Sequence, residues 1–464
     1  EVGRAGRALG WSVGGHARSL EGAFDYPRVR GLDPTPERRA NADLAEWSGF
    51  GAAQAAAAGG ELRLRLGAEG LERGLPGKGY APSVRARQEL DRTRGSLAWR
   101  RSEAAYSVGA SLSAVAQAVR YADPAPPFGL PYDETTRVRS LELRTGAERI
   151  PASRWLRGYG AGAEGLVQHV NSGSLGEHAP RTRTDVGAFA HATAGVELGP
   201  RDLELTANLR ADRDDVAGRW YPSHSLAGRY GAGPLTVHLA HRSGFSPPSL
   251  GDQFFREGVA VAPNPDLQPE RIPSEWEAGA ALSRSAPGLS LDVGARAFTG
   301  DVKGMIVWLP DFRFVWSPRN TDVKRRGAEA WIAAAWPDRA LRVTGSYALA
   351  AVTYDREGDP VQVAYRPRHS AQLRAEWTPG PWRAAAGALL TGTRYPGPAA
   401  VNALPRFWTV DLDLAREWRA GPAALAAALH VDRLLDEKES LIFGFPEAGR
   451  RIRLELRARR ADRP

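Results

Sequence analysis

Leu62-Arg63-Leu64-Arg65-Leu66 puts an apolar side chain at every second position, and this period of two constrains the chain more than any other feature. The same alternation runs through 203–210, 410–414 and 452–457. Successive side chains of a strand point to opposite faces, so each run has one apolar and one charged face. Wound as a helix, the same residues would scatter leucine around the axis and bury nothing coherently. These segments are strands. No uninterrupted apolar run approaches the ~18 residues that a membrane-crossing helix needs. With 42% hydrophobic and 25% charged residues, the chain is also too apolar for disorder.

The connections carry the second signal. Tight turns rich in Gly, Pro or Asp are expected at 57–60, 198–202, 231–233, 285–288, 337–340, 378–381 and 419–422. Much longer connections lie between them, at 20–41, 72–90, 121–136, 169–183, 212–221, 244–271, 353–367, 393–406 and 434–449, with a less regular one within 301–319. Short and long alternate down the chain. A sandwich or propeller has no reason to segregate its loops this way, whereas an outer-membrane barrel does. The expectation is an all-β fold: a large antiparallel transmembrane β-barrel of about 20–22 strands, with short periplasmic turns and long extracellular loops. Residues 1–8 would hold the tail of one further strand. Trp11, Trp47, Trp99, Trp155, Trp276, Trp377 and Trp418 sit near strand ends, as interfacial girdles would, although cross-strand packing in a soluble sheet is the alternative. A barrel this wide leaves an open lumen unless something fills it. Nothing in 1–464 looks like a compact filler, so the whole chain reads as one barrel domain.

Charge and composition narrow the function classes. The net charge is +9, but its Arg residues are dispersed singly, often two positions from a carboxylate, and form no phosphate-tracking stripe. No nucleic-acid partner is expected. The absence of Cys removes disulfides, thiolate metal sites and thiol nucleophiles together. The single Met is Met305, so Glu1 is not an initiator and upstream sequence is expected to have been removed. No nucleophile elbow, phosphate loop or His-Glu-x-x-His motif occurs, and no enzyme activity is expected. Asp212, Asp214 and Asp215 read as a solvated acidic loop rather than a calcium site, which would need six to eight ordered oxygens. His238 and His241 fall on opposite faces of a strand, which argues against a shared metal. No metal site and no cofactor is expected.

Several segments resemble the barrel of TonB-dependent outer-membrane receptors. Gly244-Phe245-Ser246-Pro247-Pro248-Ser249-Leu250, with Phe254 and Phe255 after it, is similar to that family's GFR…P-S segment. Asn264-Pro265-Asp266-Leu267-Gln268-Pro269-Glu270 resembles its NP-L-PE motif, and Asn320 with Gly327, Ala328 and Glu329 resembles the N…GvE segment that leads into a long strand. Tyr365-Arg366-Pro367-Arg368-His369 and the stretch from Val431 through Lys438 to Arg450 match two further segments in order. Arg39–Asp43 and Arg73–Gly77 are similar to the first hairpins. Arg433 stands where the family has Asn, Ser440 stands near the usual Tyr, and no aromatic residue ends the chain. Taken alone, the prolines of the NP-L-PE segment turn a loop back into a strand, and Gly327 reads as a bulge or a close-contact glycine.

The resemblance implies a receptor of the cobalamin and siderophore branch in the bacterial cell outer membrane, importing a bulky scarce nutrient such as a ferric siderophore, cobalamin or a similar chelate. It implies a separate N-terminal plug, absent from this chain, through which the TonB–ExbB–ExbD complex would act, and contact with outer-membrane lipids. Ligand capture would fall to flat amphipathic side chains on the long connections. Tyr80, Tyr132, Trp220, Tyr221, Phe254, Phe255, Trp308, Trp316 and Tyr395 are the candidate substrate-binding residues, with Phe128 beside them. Loop packing or the upper girdle is the competing role for each. A passive outer-membrane pore and a soluble all-β carbohydrate-binding protein are the alternative functions.

Overall fold

The computed structural model describes residues 2–4, 9–30, 33–215, 218–255, 261–311, 315–356, 358–397, 401–421 and 423–460. They form one 22-stranded antiparallel sheet plus two small two-stranded ribbons. Each strand pairs with its neighbours in sequence, from Val2–Arg4 against Leu9–Leu20 to Ala423–Asp432 against Arg451–Arg460. Asp359–Gln362 and His369–Trp377 both pair with Leu341–Arg356, so they are two segments of one pass and the wall has 21 passes. The expected strand count of the barrel is met. No helix among the described residues is long and apolar enough to cross a membrane.

The turn and loop ends separate as the connections imply. Hairpins close directly at Ala57/Gly60, Leu198/Arg201, Ala232/Leu235, Ala286/Leu289 and Ala420/Ala423. Two longer turns, 103–105 and 150–155, lie at the same end. At the opposite end the connections are long, and two of them carry the ribbons Phe24–Arg30 with Asp33–Arg39 and Gly77–Lys78 with Ala81–Pro82. Three connections are shorter than expected: 212–221 comes down to 215–219, 353–367 is largely taken up by Leu341–Arg356 and Asp359–Gln362, and 301–319 is shortened most. The strands Leu289–Pro310 and Trp316–Trp336 run almost through 301–319, leaving only 311–315 between them. Their extra length has a core of its own, because Val302, Val323, Val352, Tyr354 and Val363 are buried together there. A bulge at Gly304, whose φ is +67°, realigns the pair between Val302 and Met305.

Register decides which residues share a face. Leu64 pairs with Leu97, Leu97 with Leu112, and Leu112 with Leu143, and all four are 39–52% exposed. This girth of exposed leucine suits hydrocarbon contact. The intervening positions carry charges joined across strands. Arg92 meets Glu69 at 2.6 Å and Gln117 at 2.8 Å, Arg210 meets Glu164 and Asp212, and Arg296 meets Glu329 at 2.6 Å. Such half-exposed pairs contribute only about 0–1 kcal/mol each, so they line a wet interior rather than hold the wall together. Trp377 and Trp418 lie outward near the turn end, Trp47 and Trp276 toward the loop end.

Candidate functional site

The loop end is where the interior is packed and where most sequence candidates lie. The segment after Phe245 is built first. Phe245 stacks on Tyr221 with centroids 4.5 Å apart, and Arg219 donates to the Tyr221 hydroxyl at 2.8 Å. Tyr221 is thereby buried, 6% exposed. Ser249 then caps the short helix α1 (Leu250–Phe254), its hydroxyl accepting the Asp252 N–H at 2.9 Å.

The NP-L-PE segment is bolted to the long hairpin. Asn264 donates to Pro318 O at 3.0 Å. Asn320 accepts the Gln268 N–H at 2.8 Å and donates to Gln268 O and Gly304 O. Glu270 accepts the Ile306 N–H at 2.6 Å. The two sequence motifs that contain these residues are therefore halves of one hydrogen-bonded joint. Gly327 is a close-contact glycine: a Cβ there would lie 2.4 Å from the Phe298 ring and 2.6 Å from Leu349 O.

This joint gathers three loops around an aromatic group. Phe255 stacks on Trp308 with centroids 5.5 Å apart. Phe255 bridges to Leu175, Gly176 donates to Phe254 O at 2.7 Å, and Ala262 donates to Trp316 O at 3.0 Å. Phe255 and Trp308 thus meet from separate segments, while Phe254 and Trp316 join the same loops through their backbone carbonyls. The other candidates lie elsewhere on the rim. Tyr80, half-exposed, stands where Gly79 meets Gly444 at 2.6 Å, with the Lys78 ammonium 5.6 Å from its ring. Tyr132 starts the strand Tyr132–Arg149 on the inward face, in register with Asp123. Trp220 shares the outward parity of Leu226 and is 52% exposed. Tyr395 lines a separate cavity with Tyr347 and His369. Phe128 is exposed on the connection before Tyr132.

Beneath the mouth a cavity of about 380 Å³ is lined by Glu142, Glu164, Asp185, Arg210, Asp214 and Phe245 among others. At its edge Arg183 pairs with Asp214 at 2.5 Å, lies 3.5 Å from Asp185 and donates to Pro248 O at 3.1 Å. The solvated acidic loop expected at 212–215 is corrected here. Asp212 and Asp214 end the strand Arg201–Asp214, Asp214 is 1% exposed, and Asp215 accepts the Thr184 N–H. Strand register against Thr182–Leu198 draws them inward, which composition alone does not reveal. Arg183 went unnoticed in the sequence for the same reason. His238 faces Glu277 at 3.2 Å while His241 packs on Trp276, on the opposite face. Among the described residues no cluster of His, Asp and Glu is arranged to hold a metal ion.

Two loop groups show what burial and hydrogen bonding do at the rim. Burial lowers the Arg39 guanidinium from its usual range, beside the Tyr26 ring. The Arg450 N–H, 2.7 Å away, holds the Asp436 carboxyl below the usual carboxylate range.

Comparison with known proteins completes the picture. The copper transporter OprC superposes with a TM-score of 0.75 at 15% identity, over 97% of this chain and 75% of that one. A mutant of the ferric enterobactin receptor PfeA from Pseudomonas aeruginosa gives a TM-score of 0.75 at 14% identity, over 97% and 76%. The ferric-catecholate import receptor Fiu from K12 E. coli gives 0.73 at 13%, over 98% and 78%. Likeness at such identities establishes the fold. No curated protein sequence matches this chain. The family described as TonB dependent receptor-like, beta-barrel, matches residues 25–431. An outward leucine girth, a charged interior and loops joined at one end belong to that architecture, and the chain is a member of the TonB-dependent receptor β-barrel family, whose proteins are outer-membrane receptors and transporters rather than enzymes.

Proposed function

We propose that this barrel captures a bulky metal chelate or corrinoid at the cell surface and passes it inward past a plug, with TonB, ExbB and ExbD supplying the energy through that plug. The observation that carries the reading is the stack of Phe255 on Trp308, where the 244–271 connection meets the long hairpin and the Leu175–Gly176 loop, with Phe254 and Trp316 beside it in the chain. Flat aromatic faces over a mouth with paired charges beneath suit a large amphipathic ligand. Tyr80 and Tyr132 would contact it from the opposite side of the rim, and Tyr221, Trp220 and Tyr395 would contribute least, given their burial or placement. The whole of 1–464 would serve as one barrel wall. OprC as a copper transporter, Fiu as a ferric-catecholate import receptor and PfeA as a ferric enterobactin receptor support a metal-bearing cargo by analogy only.

The test is fluorescence titration of the full-length receptor with ferric catecholates, ferric hydroxamates, a copper chelate and cobalamin. One class is expected to quench tryptophan emission saturably, and Phe255→Ala or Trp308→Ala to weaken it about tenfold. Binding of no class, or unchanged affinity in both variants, would remove the aromatic mouth as the capture site.

A further inference from the structure

A second cavity, of about 680 Å³, lies on the other side of the wall. It is lined by Tyr347, Gln362, Arg368, His369, Leu390 and Arg406 among others. Register identifies the side. Gly345 pairs with Leu373, Leu373 with Ala388 and Ala388 with Val410. Leu373 is 53% exposed, whereas its neighbour Arg374 turns the other way to pair with Glu376 at 2.8 Å and Asp413 at 3.5 Å. Stepping by twos from these positions reaches Tyr347, His369, Leu390 and Trp408 on the outward face, with Arg406 two residues before Trp408. The Tyr347 hydroxyl and His369 Nδ1 are 2.7 Å apart, which fixes the floor of the cavity.

Height follows from strand length. His369–Trp377 has 9 residues and Trp382–Thr391 has 10. At ~3.3 Å per residue and a ~45° tilt such strands climb about 21–23 Å, so their upper ends lie at the outer membrane interface. Charge is one-sided there. Two guanidiniums line the cavity and no carboxylate does. Among the described residues neither Arg368 nor Arg406 makes an ion pair, and Arg368 reaches only Gln362, at 3.5 Å. The interior arginines of the same strands are paired, as Arg374 is.

We propose that this cavity binds a phosphate-bearing lipid of the outer leaflet, its phosphate on Arg368 and Arg406 and its acyl chains along Tyr347, Leu349, Leu373 and Leu390. An unpaired Arg couple selects a phosphate. The continuous apolar wall below it selects a lipid over a soluble anion. The site rests on the outer-membrane reading of the barrel but not on any cargo.

The experiment is native mass spectrometry of the delipidated full-length receptor titrated with bisphosphorylated lipid A, dephosphorylated lipid A and inorganic phosphate. One bisphosphorylated lipid per receptor is expected. The dephosphorylated lipid and the Arg368→Gln/Arg406→Gln variant should each bind at least ~10-fold more weakly, and millimolar phosphate should not compete. An interior control, Arg383→Gln, should bind as the parent does. Equal binding of the dephosphorylated lipid, full binding by the double variant, or displacement by phosphate would each overturn the proposal. Heat-dependent gel migration of each variant separates these outcomes from a barrel that has not formed.

Discussion

Arg433 shows how a single residue reconciles an unusual sequence with the fold. It has φ +52°, a left-handed conformation in which Asn is at ease and Arg is not. Its guanidinium offsets that cost by donating to Ala448 O at 2.9 Å and Glu437 O at 3.2 Å and pairing with Glu447 at 3.1 Å. The connection 434–449 is thereby gathered around a side chain that the family motif does not contain. Gly327 makes the opposite point, since its value lies in having no side chain. Gly327→Ala would press a Cβ into both the Phe298 ring and the backbone oxygen of Leu349, and the latter cannot be trimmed away. The expected loss is about 1–3 kcal/mol, read as a lowered urea midpoint of the barrel in vesicles. An unchanged midpoint would mean that the strands separate freely at this point.

Among elements, the long hairpin Leu289–Pro310/Trp316–Trp336 organises the mouth. It outlasts the bilayer because its upper part has buried valines of its own, and it anchors the 264–270 segment through Asn320. Asn320→Ala removes three hydrogen bonds at once. At about 1 kcal/mol for each bond lost, the segment should open locally while the wall stays folded. Hydrogen exchange is expected to accelerate at the Gln268 amide and the other non-proline amides of 264–270, with the heat-dependent gel shift retained. Slow exchange at those amides in the variant would show that the prolines alone hold the segment.

On the scale of the whole molecule, the apolar girth and the charged interior predict opposite responses to one substitution. Leu97→Arg on the lipid-facing side, between Leu64 and Leu112, should cost about 2–4 kcal/mol near mid-bilayer. Ser96→Arg, one residue away on the inner face beside Arg65, should cost far less because water reaches it. Folding free energies in vesicles from urea titration test the pair, and equal costs would mean that the two faces do not see different solvents. A passive pore and a plugged receptor differ at this scale too, since only the former conducts as the full-length protein without ligand.

The period of two, the alternation of tight and long connections and the motif order were enough to read an antiparallel outer-membrane barrel from the amino acids. Each is a local property, set by side-chain direction along a strand and by turn chemistry. The bulged extension of the long hairpin, the burial of Asp214 against Arg183, and the stack of Phe255 on Trp308 were not legible, because each joins residues that register alone brings together. Of the candidate aromatics, Tyr80, Phe254, Phe255 and Tyr395 lie on connections, whereas Tyr132, Trp220, Tyr221, Trp308 and Trp316 lie in the ends of strands, and sequence has no means of sorting inward from outward there. Tyr221 is buried beneath Phe245, Trp220 shares the outward parity of its strand and Tyr395 lines the outer cavity, while Phe255 stacks on Trp308. Alternation determines that a strand has two faces. Which face a loop residue inherits depends on pairing across the sheet, and that is a property of the tertiary structure.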